Sequence, residues 1–258
     1  MVLINKSALK NISCEEFDAR ESTIDTQYFG VASAKVILKK SCSVDRVKSQ
    51  LLGFFQDFEF ITITNKENNP SNNQWLGEKT KAFLTDVNMQ FSKKVSKFTE
   101  KHDDGFTVIT DNLPHNKRII QIAETSFRYS RFLNDPYLSS EKARYIYGDI
   151  TKNAFRKMGS FFVVIENAKE TIGFLLFSID RTTSSSTIDL LATDQNYQGR
   201  GIGRALIRSM EHYVAQKDVE TIKVGTQLNN IDAMGFYTSN GFRYFECNSI
   251  YHYWPLRD

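Results

Sequence analysis

The sequence predicts a mixed α/β (α+β) protein built on a central mixed sheet, and three observations carry that reading. Apolar runs of strand length alternate with stretches of helical periodicity along the chain. Hydrophobic residues make up 41% of the 258 and aromatics 13%, enough to close a packed core. A glycine-rich turn, Gln198-Gly199-Arg200-Gly201-Ile202-Gly203-Arg204, joins a strand-like run to an amphipathic helix.

In the first hundred residues, 31–38 read as a strand, 44–55 as a helix, and 57–64 as a strand with apolar alternation at Phe58, Phe60 and Ile63. Residues 65–74 are rich in asparagine and have loop composition, 85–91 are strand-like, and 97–105 are polar and charged. A boundary is expected at 111–116, dividing a smaller N-terminal α/β domain (1–112) from a second domain (113–258). Beyond it, 117–129 and 140–155 read as helices, the second with serines at its start and Glu141 in its first turn. Residues 161–165 and 172–179 form an apolar hairpin, and 187–193 lead into the glycine turn.

After the turn, Ile202, Leu206, Met210, Tyr213 and Val214 recur at helical spacing. A strand at 221–225, a helix at 232–239 stopped by Gly241, and two strands at 242–246 and 250–254 complete the chain. No residue-level repeat is visible.

The charge balance narrows the function. With 33 basic against 30 acidic residues the net charge is +3, which leaves no footprint for a nucleic-acid partner. Three well-separated cysteines, Cys14, Cys42 and Cys247, argue against a disulfide framework and a thiolate metal site. His102, His115, His212 and His252 lack metal-ligand spacing and read as surface residues, so no metal is expected. No apolar stretch approaches a membrane span and residues 1–10 do not resemble a leader, so a soluble, cytoplasmic protein is expected, one compatible with a homodimer.

The glycines predict a phosphate-binding turn: they admit backbone angles that aim successive N–H groups at one anion, and the following helix adds its positive end. Spacing removes two designs. The turn reads G-x-G-x-G rather than the dinucleotide G-x-G-x-x-G, and no Gly-Lys-Ser or Gly-Lys-Thr occurs for a nucleotide-hydrolysing loop.

Gln198, Gly201 and Gly203 fill the fixed positions of Q/R-x-x-G-x-G/A, and Asn230, Ala233, Tyr237 and Gly241-Phe242 follow downstream. In both features, residues 117–258 resemble the GNAT superfamily of acyl-coenzyme A dependent N-acyltransferases. Gln195 departs from the pattern, since many members have proline there. The resemblance implies a GNAT fold and acetyl-CoA as co-substrate. Leu191, Ala192 and Thr193 would pair with the pantetheine amides, Gly199, Arg200, Gly201, Ile202, Gly203 and Arg204 would surround the pyrophosphate with Gln198, and Asn230 would touch the cofactor arm.

Attack of a neutral amine on a thioester needs a base, a site for the oxyanion and an acid for the departing thiolate. Tyr237 suits the acid, as a phenol of ordinary pKa about 10 placed beside a thiol of about 8.5. Asp189 is the candidate base. Strand alternation would set Ile188, Leu190 and Ala192 on one face and Asp189 with Leu191 on the other, toward the cleft or equally toward solvent.

For the acceptor, Asp25-Thr26-Gln27-Tyr28-Phe29-Gly30, Ser130-Arg131-Phe132 with Asp135-Pro136, and the ending Ile250-Tyr251-His252-Tyr253-Trp254 resemble bacterial acetyltransferases that modify dTDP-linked amino-deoxy sugars for polysaccharide synthesis. That likeness implies a small-molecule acceptor, a dTDP-amino sugar, with the N-terminal domain on the acceptor side. Phe29 and Phe132 would line the acceptor cleft, with Arg128 or Arg131 near its phosphates. A protein or peptide N-acetyltransferase, or a non-catalytic acyl-CoA-binding module, are the alternatives.

Overall fold

The computed structural model describes residues 10–42, 45–96, 107–255 and 257. Two compact units interleave along the chain instead of meeting at one cut. The first takes residues 1–88, 131–142 and 247–258, and the second takes 89–130 and 143–246.

In the first unit the elements are β1 (Asn11–Ser13), β2 (Phe17–Glu21), α1 (Thr23–Phe29), β3 (Ser33–Leu38), α2 (Asp45–Phe55), β4 (Phe60–Asn65), α3 (Pro70–Lys79) and the start of β5 (Phe83–Lys94). Strand order is β1-β2-β3-β4, then β11 (Arg243–Tyr253), then β5. β2 runs antiparallel to β3, β3 parallel to β4, and β4 antiparallel to β11. The core comes from period-two residues such as Val36, Leu38, Ile61 and Ile63, covered by Leu51, Phe54 and Phe55 of α2 and by Trp75 and Leu76 of α3.

The asparagine-rich segment is not a loop. Asn69 caps α3 through its side chain and Pro70 occupies the first turn, where its missing N–H costs nothing, so these residues start the helix. Buried Asn72 donates to Lys40 O (2.9 Å) and Asn65 Oδ1 (3.0 Å) and accepts from the Cys42 N–H (2.8 Å). Asn65 in turn donates to Asn69 O (2.8 Å) and Asn73 Oδ1 (2.6 Å). Composition suggested a turn because asparagine satisfies backbone groups; here it does so inside the fold.

The second unit holds β6 (Thr107–Thr110), α4 (Lys117–Ser126), most of α5 (Ser140–Ala154), β7 (Ser160–Asn167), β8 (Glu170–Asp180), β9 (Ser185–Thr193), α6 (Ile202–Ala215), β10 (Thr221–Gln227), α7 (Ile231–Ser239) and the first part of β11. Its order is β5-β10-β9-β8-β7-β6. The chain from β6 to β9 folds as antiparallel neighbours, while β9 and β10 run parallel across α6. One face packs under α6 with Val163, Leu175, Phe177, Leu206, Met210 and Ile222; the other packs under α4 and α5 with Ile119, Ile122, Phe162, Phe174 and Leu176.

Expected helices and strands from 117 onward are present, with one correction. Residues 242–246 and 250–254 are one strand, β11: Asn248 and Ser249 are buried, Asn248 accepting from the Glu67 N–H (3.0 Å) and Ser249 bonding Asn68. Residues 97–105 lie outside those described. A structural repeat also exists, invisible residue by residue: β3-α2-β4-α3-β5 and β9-α6-β10-α7-β11 have the same succession, each with its first two strands parallel.

Replacing Asn72 by alanine leaves the Cys42 N–H and Asn65 Oδ1 without their partner, and is expected to cost about 2–3 kcal/mol. Urea unfolding of N72A against wild type measures it.

Candidate active site

The site begins where two strands part. β9 and β10 register from Ser185–Thr221 to Ile188–Val224, and no further pair follows. On its other edge β9 stays paired with β8 as far as Thr193–Gly173, but the register passes from Leu190–Leu176 to Ile188–Phe177, leaving Asp189 without a partner. This is a β-bulge, and the bend it introduces turns the end of β9 away from β10. A cleft of about 740 Å³ opens there, with Leu191, Ala192 and Thr193 on one side and Ala233, Phe236 and Tyr237 of α7 on another.

The glycine turn borders the same cleft, and Gln198, Gly199, Gly201, Ile202, Gly203 and Arg204 all line it. Gly199 and Gly201 have φ of +74° and +81°, a region that resists a side chain, and Gly201 is the N-cap of α6. A Cβ on Gly203 would meet the Phe236 ring at 3.0 Å, so this glycine lets α6 and α7 approach. The first amides of α6 have no intrahelical acceptor and form a positive helix end at the cleft. Gly173 of β8 seats that turn, since a Cβ there would lie 2.9 Å from Ile202. Arg204 is exposed at the cleft, whereas Arg200 stacks over Tyr197 at 5.2 Å.

Tyr237 is buried, borders the cleft and packs against Phe91, Phe236 and Phe242. Burial pushes its phenol well above the ordinary tyrosine range, so it keeps its proton at neutral pH. Asn230 caps α7, accepting from the Ala233 N–H at 3.2 Å, and thereby fixes the helix that presents Tyr237.

Asp189 corrects the sequence reading. Because it occupies the bulge, alternation breaks: Ile188 packs on the α6 face with Leu191, while Leu190 and Ala192 pack on the α4–α5 face. Asp189 is not among the residues lining the cleft. Its surface is open, yet the protein packed around its carboxyl pushes the pKa up to about 6, only partly offset by the Ser178 hydroxyl and Lys157.

The residues expected to meet an acceptor divide. Arg128, exposed after α4, is in the second unit; Phe29, Arg131 and Phe132 are in the first. There Phe29 packs on Phe60 and Phe132, and Arg131 stacks on the Phe132 ring at 4.2 Å. Phe132 is buried, a core ring and not a cleft wall. His252 is likewise buried, not a surface residue: its Nδ1 is 2.6 Å from Asp135 Oδ2, which also accepts from Trp254 Nε1 at 3.1 Å. Burial holds the imidazole below its usual range. Burial would raise Asp135, but the hydrogen bonds from His252, the Tyr137 N–H and Trp254 outweigh it and hold the carboxyl low. His115 is exposed and His102 lies outside the described residues.

Sequence reasoning missed Tyr197, Ser126 and Phe236 at the cleft; only Phe236 carried a signal, as the neighbour of Tyr237 on α7. Among the described residues no three histidine, cysteine, aspartate or glutamate side chains gather as a metal site, and no helix is long and apolar enough to cross a membrane.

The parted strands, the glycine turn and the capped helix α7 stand around one cleft. Residues 117–242, just under half of the chain, match the acetyltransferase (GNAT) family. Over 140 residues, 54% of this chain and 48% of that protein, it is 29% identical to the spore coat polysaccharide biosynthesis protein SpsD of Bacillus subtilis (strain 168). It is 30% identical over 110 residues to human N-acetyltransferase 8B, covering 41% of this chain and 48% of that one. The chain therefore spans about half the length of the curated relatives it matches. Among solved structures, a tandem GNAT protein from the clavulanic acid biosynthesis pathway has the same fold, with TM-score 0.60 and 11% identity over 96% of this chain and 86% of that one.

Two glycine substitutions have opposite expected signs. Gly201→Ala forces a side chain into the left-handed region and should lose about 1 kcal/mol, whereas Gly53→Ala, in open space on α2, should gain about 0.5–1 kcal/mol of helix propensity. Shifts in the urea midpoint check both.

Proposed function

We propose that the chain is an N-acetyltransferase that moves an acetyl group from acetyl-CoA to the amine of a nucleotide-linked amino-deoxy sugar. The observation that carries this reading is the cleft at the parting of β9 and β10, bordered by the α6 N-terminus and by Tyr237. Its chemistry fits the co-substrate: positive φ at Gly199 and Gly201 and the free amides of α6 suit a pyrophosphate, and the unpaired edge of Leu191–Thr193 suits the pantetheine amides. Arg204 adds charge at the mouth, and Gln198 and Asn230 hold the turn and α7.

Bound acetyl-CoA would supply the thioester to be attacked. The β9 amides near Ala192 would donate to negative charge developing on the carbonyl oxygen. Tyr237 would hold a proton at its phenolic oxygen until a thiolate forms beside it, which its raised pKa permits. Asp189, off the cleft wall, would take the amine's proton through water.

The acceptor rests on different support. SpsD is named for polysaccharide biosynthesis, and the three sequence words that suggest an enzyme of the dTDP-fucosamine acetyltransferase type meet in the first unit, around Phe29, Arg131 and Asp135–His252. The first unit would then recognise the acceptor, with Arg131 near its phosphates. A small-molecule acceptor also agrees with a near-neutral chain lacking an acidic surplus for basic peptides.

Thiol release from acetyl-CoA should be seen with a dTDP-4-amino-4,6-dideoxyhexose and not with a basic peptide. Peptide turnover alone would replace the sugar reading, and binding without any turnover would make the chain a sensor. Tyr237→Phe should keep acetyl-CoA affinity while lowering kcat by about 10²-fold or more, the usual worth of a positioned acid. For Asp189 the sign is fixed by its raised pKa: the basic form dominates above about 6, so kcat/KM should rise with pH through that value. Asp189→Asn should abolish that limb.

A further inference from the structure

The segment just before the glycines is gripped by a side chain from another helix. We propose that Arg118 of α4 is a positioning residue that pre-forms the anion-binding turn, doing by ionic contact what proline at position 195 would do covalently. The inference rests on the acyl-CoA reading of the cleft.

Asp194 is the point of grip. It is buried between β9 and the turn, where an unpaired carboxylate would be costly, and Arg118 Nη2 bonds its Oδ2. Its Oδ1 accepts from the Asn196 N–H at 2.8 Å, its own N–H donates to Ile172 O at 2.9 Å, and its carbonyl accepts from Tyr197 N at 2.9 Å. Every polar group of Asp194 is thus engaged, and the chain leaves it on a fixed path toward Gln198.

Arg118 is itself held. Its Nε lies 3.1 Å from Glu170, and Asn116, which caps α4 by accepting from the N–H of Arg118 at 2.9 Å, also donates to Thr171 at 3.3 Å. At the other end of α4, the Gln195 side chain donates to Thr125 O at 3.4 Å. Arg118 does not line the cleft, so any effect it has on a ligand passes through the turn.

The backbone is already shaped for proline. Asp194 has φ −51° and ψ 135°, the extended conformation favoured before proline. Gln195 begins the short 3-10 turn 195–197, a first-turn position where proline's fixed φ fits. Among the described residues the Gln195 N–H has no acceptor, so proline would remove no hydrogen bond. A chain that lacks the ring must hold this path another way, and Arg118–Asp194 does so.

The test uses full-length wild type, Arg118→Ala, Arg118→Lys and the double variant R118A/Q195P. Amide exchange over 194–204 is measured without ligand, and acetyl-CoA affinity by calorimetry, with KM and kcat for the acceptor that wild type acetylates. Arg118→Ala should speed exchange in that segment and weaken acetyl-CoA about tenfold, raising its KM more than it lowers kcat, as expected when preorganisation is lost. Lysine, which keeps the charge without the fork, should fall between. Q195P in the alanine background should restore slow exchange and affinity. Unchanged exchange and affinity in Arg118→Ala, a lower Tm with unchanged KM, or no restoration by proline would each overturn the proposal. Absence of acetyl-CoA binding by wild type would instead sink the acyl-CoA reading, while ligand-free exchange still decides the tie.

Discussion

The separation of β9 from β10 after Ile188–Val224 is the constraint on which the rest of the second unit depends. A parallel pair normally continues until a strand ends, because each added residue satisfies backbone groups that would otherwise be left over. Here one extra residue, Asp189, bends β9 while it remains zipped to β8, and the free edge that results borders a cleft instead of another strand. The glycine turn, the seat that Gly173 makes for Ile202, and the capped α7 all arrange polar groups and apolar walls around that gap.

The first unit shows what the same succession does without a bulge. β3 and β4 pair without interruption over six positions, from Ser33–Phe60 to Leu38–Asn65. Beyond their ends, where the second unit has glycines, Asn72 bonds the turn after β3 to Asn65 and closes the structure. One repeat has spent its polar side chains on itself; the other keeps backbone groups free. In the proposed function the acyl-CoA cleft belongs to the second unit.

Much of this was legible in the sequence because it is written in local chemistry. Helical spacing after Gly203, the Asn230 cap and the hairpin at 161–179 depend on neighbours along the chain, and all are present. What could not be read depends on partners far away. The bulge at Asp189 has no composition signal, so alternation placed Ile188 and Leu190 on one face when they lie on two. The asparagines at 65–74 look like loop residues unless their targets are known, and His252 looks like a surface residue until Asp135, 117 positions earlier, is seen beside it. Residues 242–246 and 250–254 read as two strands, but Glu67 and Asn68 satisfy Asn248 and Ser249 within the single strand β11.

The most direct test of the central claim is residue-resolved amide exchange of the full chain with and without acetyl-CoA. Occupation of the parted strands should slow exchange at Leu191–Thr193 and at Ile202–Arg204, and leave β3, β4 and residues 39–42 unchanged. Protection in the first unit with none at Leu191–Thr193 would contradict it.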